Sequence, residues 1–337
     1  MKTEFDLIEQ LRKRSVSSKI GDDCAVISKD AKTDLVLTTD LIVEDIDFRR
    51  EWMIPEFLGH KALAISLSDV AAMGAKPVWA MLSIGIPEDV WKMDFVERFY
   101  EGWFALAKRF GVELVGGDIS KTPDKIVIDS MVAGEVKKGK AVLRSGAKVG
   151  DLIFVTNALG GAAAGLTLLE NGVRYKDSAK IWQRNLLLKQ LQPLPPIHAA
   201  QNLNDENLVT AMIDLSDGLS SDLAHLCRES RVGAMVFADK IPLNKNLEEF
   251  LKLKRHAKTQ KSDIENRFKN DLFFALNGGE DFELLFTINP KKKLRLENAL
   301  KNFTFSCVGE ITEDIEGIKL ISGDKTQILT ARGFRHF

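Results

Sequence analysis

Apolar positions along this chain recur at two spacings that alternate from one end to the other. In residues 60–73, Leu63, Leu67 and Val70 fall at i, i+4 and i+7, with Gly74 and Pro77 following as stop signals, which predicts a helix. Residues 94–110 carry Phe95, Phe99, Leu106 and Phe110 on a helical stripe and close on Gly111. Leu219, Leu223 and Leu226 mark a third stripe, and residues 6–14 predict a short amphipathic helix. Between the stripes lie apolar, β-branched runs at 34–39, 78–86, 112–115, 125–136, 152–156, 209–213, 284–288 and 303–308. The segment GDDCAVI (21–27) reads as a polar turn entering a further strand. Strands and helices alternating in this way predict an α/β or α+β protein and argue against a helical bundle.

The length of 337 residues fits two domains. The glycine- and charge-rich stretch 139–151 marks the boundary, giving an N-terminal domain of 1–143 and a C-terminal domain of 144–337. The uncharged stretch 152–169 contains Thr156, Asn157 and three glycines, and predicts a strand, a turn and a buried helix in place of a membrane span. The N-terminus mixes charges into every turn, unlike a signal peptide, so a cytoplasmic protein without membrane attachment is expected. Lys and Arg total 47 against 48 Asp and Glu, which gives no overall pull toward nucleic acid or an anionic surface. Residues 240–270 hold nine Lys/Arg and four Asp/Glu with only Phe250 and Phe268 as aromatics, and read as a solvated surface insertion. Cys24, Cys227 and Cys307 are too far apart for a zinc motif, and Cys24, with no local base, reads as a small core residue.

The chemistry is carried by aspartates at the ends of apolar runs. Asp40 ends LVLTTD, Asp118 ends VELVGGD and Asp214 ends VTAMID; Asp22 and Asp23 precede CAVI. Asp69 interrupts an apolar helix, and Glu280 and Asp281 follow two glycines. Each alone reads as a turn or capping residue. Together, at strand ends where loops converge, they can meet in one cleft. Clustered carboxylates repel and require a positive partner. Hard oxygen ligands without a histidine pattern point to magnesium, which suits a phosphorylated substrate. Thr38 and Thr39 can add oxygen ligands, and Arg144 can grip phosphate or be a surface charge. Gly160-Gly161 before a helix can receive phosphate, although close helix–strand packing explains the pair better. Walker, protein-kinase and serine-hydrolase signatures are absent.

Taken in order, GDDCAVI (21–27), LTTDLIVE (37–44), GHKALAISLSDVAAMGAKP (59–77), VGGD (115–118), RSGAKVGD (144–151), IDLSDGLSSDL (213–223), GGEDFELLFT (278–287) and GFRHF (333–337) span nearly the whole chain. This ordered set resembles the thiamine-monophosphate kinases, relatives of aminoimidazole ribonucleotide synthetase. The resemblance implies an N-terminal α/β domain contributing strands to a dimer-spanning barrel, a C-terminal α+β domain, and a homodimer. It implies direct, in-line transfer from ATP to thiamine monophosphate, giving thiamine diphosphate. By the same resemblance Asp23, Thr38, Thr39, Asp40, Asp69, Asp118, Asp214 and Asp217 hold several magnesium ions. Tyr100, Gly117, Arg144 and Ser216 meet ATP, and Glu280 meets the thiamine moiety. No side chain need act as a strong base, because the acceptor is already an anionic phosphate oxygen.

The chain departs from the family pattern at two positions expected to touch thiamine: Asp47 stands where the family usually has His, and Ala331 where it often has an aromatic. Two other readings follow from the same residues. One is an ATP-using enzyme of the superfamily with a different phosphate-bearing acceptor. The other is a non-catalytic nucleotide-binding module, against which the costly acidic set argues.

Overall fold

A computed structural model describes residues 4–13, 19–256, 271–313 and 317–333. In chain order the first half contains α1 (Glu4–Arg12), β1 (Ala25–Ser28), β2 (Thr33–Val43), α2 (Pro55–Ala72), β3 (Lys76–Ile86), α3 (Glu88–Trp91), α4 (Phe95–Phe110), β4 (Glu113–Lys121) and β5 (Val127–Lys137). The second half contains β6 (Leu152–Thr156), α5 (Gly161–Glu170), α6 (Ile181–Leu191), α7 (Ile197–Asp205), β7 (Val209–Asp214), α8 (Leu219–Ser230), β8 (Gly233–Phe237), α9 (Leu247–His256), α10 (Asp271–Asn277), β9 (Leu284–Ile288), α11 (Lys293–Ala299), β10 (Phe305–Thr312), β11 (Ile318–Ser322) and β12 (Lys325–Ile328). Among the described residues the strands form a five-stranded sheet, β1-β2-β5-β3-β4, and a seven-stranded sheet, β12-β11-β8-β10-β6-β9-β7. The expected mixed α/β architecture is present, and no described helix is long and apolar enough to cross a membrane.

Helix α2 holds the two halves together. Nearly every residue from Phe57 to Ala72 is buried, on all sides, as a helix must be when it is covered all round. Leu63, Leu67 and Val70 belong to one core with Val36 and Val132 of the first sheet and Met212 and Phe286 of the second. Helix α4 lies against α2 at unusually short range. A Cβ at Gly59 would stand 1.9 Å from the Phe99 carbonyl oxygen, and one at Gly102 1.9 Å from that of Glu56. Only glycine permits that approach.

Three sequence expectations change. Strand β2 does not stop at Asp40; its pairing with β5 continues to Val43↔Val127. Likewise β4 runs through Gly116-Gly117-Asp118 to Lys121, paired in parallel with β3. In both cases ladder hydrogen bonds override the local turn signal. The region 240–270 is not simply a solvated insertion: Leu247, Phe250 and Leu251 of α9 are buried against Leu186 and Leu187 of α6. Residues 257–270 lie outside the described chain.

Candidate active site

Alternation along β2 decides which side chains face α2. Thr38 and Asp40 point toward the helix, while Thr39 and Leu41 point to the opposite face. From α2, Ser66 donates to Asp40 Oδ2 at 2.7 Å and to the Ser130 carbonyl at 2.9 Å. Thr38 Oγ1 donates to Asp69 Oδ2. From the second sheet Asp214, the last residue of β7, accepts from Ser68 Oγ at 2.6 Å. Asp23 enters from the turn before β1. Asp23, Asp69 and Asp214 each place a carboxylate oxygen within 4.8 Å of the others. Arg144 reaches Asp23 Oδ1 at 2.6 Å, and its own backbone N–H donates to Asp22 at 2.6 Å. Asp23 Oδ2 is buried with no hydrogen-bond partner among the described residues.

Three carboxylates at this range, facing one guanidinium, leave negative charge uncompensated, and the carboxyls of Asp69, Asp214 and the adjoining Asp40 shift upward. Burial, with Asp129 adding repulsion, raises Asp40 to about 6 against the helping Ser66 bond. Burial and the charge of Asp23 raise Asp214 to about 7. Asp69 rises well above the carboxylate range through burial, then through Asp40, Asp214 and Asp23. Burial pulls the Arg144 guanidinium down, but Asp23 and Asp214 reverse this and keep it charged. An orphaned carboxylate oxygen within a set of hard oxygen donors fits a divalent cation of the magnesium class. Cys24 lies beside this cluster; it is buried and its thiol is raised, by burial and by these aspartates, so it is inert packing.

The other sequence candidates lie apart from this trio. Asp118 lies in a sheet row with Ser83 and Asp129, on the face away from α2. Thr39 Oγ1 donates to Asp129 on that same face. The pairing therefore puts Thr39 and Asp118 across the sheet from Asp40 and Asp69. Gly117 has φ +154°, and a Cβ there would stand 1.9 Å from the Leu82 carbonyl oxygen; the site needs glycine here on steric grounds alone. Tyr100 sits half-buried on α4, stacked on Phe104 at 5.9 Å.

Ser216 and Asp217 form the loop between β7 and α8. Asp222, unforeseen from the sequence, accepts from the backbone N–H of Asp217 at 3.2 Å and of Gly218 at 3.0 Å. Burial, then the charges of Asp217 and Asp214, raise its carboxyl. The Ser216 carbonyl accepts from Glu280 N–H at 2.8 Å, which joins this loop to the 278–283 loop. The Gly333 N–H donates to Ser221 Oγ at 2.9 Å, docking the chain end at the same helix start; residues 334–337 are outside the described chain. Ala331 is half-buried just before that contact. Asp47 closes its own turn, accepting from the Val43 N–H at 2.8 Å.

The Gly160-Gly161 question resolves toward structure. Asp281 Oδ2 accepts from the Gly160 N–H at 2.6 Å and Oδ1 from Ala162 at 3.2 Å, so a carboxylate of the protein already occupies that helix start. Its neighbour Glu283 is buried and accepts from Thr156 Oγ1 at 2.7 Å and Asn157 Nδ2 at 2.9 Å. These two acids hold the loop that presents Glu280. Glu280 itself has φ +66°, with Lys61 Nζ 2.6 Å from Oε1 and Gln190 Nε2 donating to Oε2.

Comparison with known proteins bears on this arrangement. The family model for AIR synthase related protein, N-terminal domain, matches residues 21–136, and that for the C-terminal domain matches 148–320. Thiamine-monophosphate kinase of Buchnera aphidicola (Acyrthosiphon pisum) is 38% identical over 347 residues, covering 99% of each chain. Thiamine-monophosphate kinase of Escherichia coli K12 is 36% identical over 344 residues, covering 99% of this chain and 98% of its own. A solved structure, AaThiL complexed with AMPPCP and TMP, superposes with a TM-score of 0.83 at 32% identity, over 99% of this chain and 97% of that one.

Proposed function

The chain belongs to the thiamine-monophosphate kinase family, and from that premise we propose that it transfers the terminal phosphoryl group of ATP to thiamine monophosphate, forming thiamine diphosphate. The observation that carries this reading is the trio Asp23, Asp69 and Asp214, with an orphaned carboxylate oxygen, on a chain similar throughout its length to a protein solved with an ATP analogue and TMP. Asp23, Asp40, Asp69 and Asp214, with Thr38 beside them, would hold magnesium from the α2 side. Thr39 and Asp118 offer oxygens on the other face of the same sheet, and Asp217 just before α8. When bound, magnesium neutralises phosphate charge and brings donor and acceptor phosphates together.

The chain's own residues position the reactants. Arg144, held by Asp23 at one edge of the cluster, faces donor phosphate. Ser216 and Gly117 bring backbone close to the nucleotide, and Tyr100 borders it. Glu280 and Asp47 place carboxylates toward the cationic thiazolium and the aminopyrimidine. In-line displacement then needs alignment more than acid–base help. Purified protein given ATP, magnesium and thiamine monophosphate should release ADP and thiamine diphosphate in equal amounts. ADP formed only with another phosphorylated acceptor would move the assignment within the superfamily, and tight ATP binding without turnover would make the chain a binding module.

The exposed face of the first sheet supports a homodimer. Ile27, Leu41 and Met81 lie on the side away from α2, and are 42%, 59% and 40% exposed. A sheet face that exposes apolar side chains among its polar ones is a surface that a second copy can cover, as a dimer-spanning barrel requires. Sedimentation equilibrium at micromolar concentration should give twice the chain mass, and Leu41→Lys with Met81→Lys should give the single-chain mass. A wild-type protein that sediments as a single chain would remove the barrel.

A further inference from the structure

We propose that Lys61, which the reaction itself does not use, is a positioning residue that ties the acceptor-binding carboxylate of Glu280 to helix α2. The proposal rests on the reading of Glu280 given above. Lys61 lies within α2 and is 1% exposed. A lysine ammonium at that depth needs a counter-charge. Among the described residues, Glu280 supplies the one carboxylate within 4.0 Å of it, with Oε1 at 2.6 Å. The other oxygen, Oε2, is held by Gln190 Nε2, and Gln190 is 3% exposed. Two buried side chains from two different helices thus meet the two oxygens, Lys61 by charge and Gln190 by a hydrogen bond, of a carboxylate that keeps 30% of its side-chain surface open.

The grip matters because of where Lys61 stands. It shares α2 with Asp69, eight residues further along, a rise of about 12 Å on a rigid helix. One end of α2 therefore meets Glu280 and the other carries a carboxylate of the acidic cluster. Glu280 sits on a loop, at a positive φ that a non-glycine residue adopts only when its surroundings enforce it. Without Lys61, the carboxylate stays attached to the loop but loses its fixed distance from Asp69. A substrate whose ring system and phosphate must be held simultaneously then loses its alignment.

The test uses the full-length protein with ATP, magnesium and thiamine monophosphate. Lys61→Met should raise the KM for thiamine monophosphate by about tenfold, the worth of one charge-assisted contact, while the KM for ATP stays within about twofold. Gln190→Leu, which removes no charge from the interior, should raise the acceptor KM in the same selective way. General damage to the fold would instead move both KM values together. Unchanged acceptor KM in both variants overturns the proposal. The double variant Lys61→Met/Glu280→Gln separates this from the underlying assignment, because it leaves no unpaired charge. If the double variant raises the acceptor KM and Lys61→Met does not, Lys61 has no positioning role although Glu280 binds the acceptor. If the double variant keeps the wild-type KM, it is the Glu280 assignment that fails.

Discussion

Asp69→Asn should lower kcat by about a thousandfold and, in the absence of magnesium, raise the melting temperature by about 3 °C. The two effects have one cause. Asp69 sits with Asp23 and Asp214 inside 4.8 Å, so the folded, metal-free chain bears repulsion that the unfolded chain does not. An asparagine keeps an oxygen for the Thr38 hydroxyl to reach and removes the charge. Burial of these carboxyls, with neighbouring negative charge added, sets the pH dependence. Asp40 at about 6 and Asp214 at about 7 hold protons in the folded state over a range where the unfolded carboxyls, near 3.8, have released them. The folded state binds more protons there, so metal-free stability falls as pH rises from about 4 to about 7. Magnesium competes with those protons, so its stabilisation should grow over the same interval. Melting curves at pH 5.5 and 8, with and without magnesium, read both trends, and in Asp69→Asn the pH slope and the magnesium effect should both shrink. A variant that melts lower than wild type without metal, or that turns over at a normal rate, would remove Asp69 from the proposed metal site.

What the sequence could and could not reveal follows from how each contact is encoded. Helix α2 was legible because Leu63, Leu67 and Val70 repeat at helical spacing and Gly74 stops them. Its burial on all sides was not, since the stripe names one face and the second sheet covers the other. The strands at Asp40 and Asp118 were found but cut short, because Gly-Gly and Thr-Asp are local turn signals and the pairing that extends them is non-local. The acidic residues were visible as types. That Asp40 and Asp118 end up on opposite faces of one sheet depends on register, and a single-residue slip would reverse it. Contacts such as Ser68 to Asp214, 146 residues apart, leave no local trace. Asp281 was visible beside Glu280 but its task was not, because the helix start it caps lies 121 residues away. Lys61 could have been suspected as a lone charge in an apolar helical stretch, a pattern that demands a buried partner.

The Lys61–Glu280 pair should respond asymmetrically to loss of its two members. Glu280→Gln leaves an ammonium 1% exposed with no other carboxylate in reach among the described residues, and should cost about 3–5 kcal/mol of unfolding free energy. Lys61→Met leaves instead a carboxylate with 30% of its side chain open, which water and Gln190 can still satisfy, so the cost should be about 1 kcal/mol. Removing both charges, as Lys61→Met/Glu280→Gln, should recover stability to within about 1 kcal/mol of wild type, giving a coupling of about 3–6 kcal/mol between the sites. Chemical denaturation of the four proteins at one pH and one magnesium concentration measures the whole cycle. Equal costs for the two single changes would mean that Lys61 reaches solvent or a different partner. The asymmetry also bears on why a glutamate occupies this loop. Once α2 buries a lysine at that depth, the 278–283 loop must keep an anion over it, and that anion then stands at the edge of the cleft where a cationic acceptor is to be received.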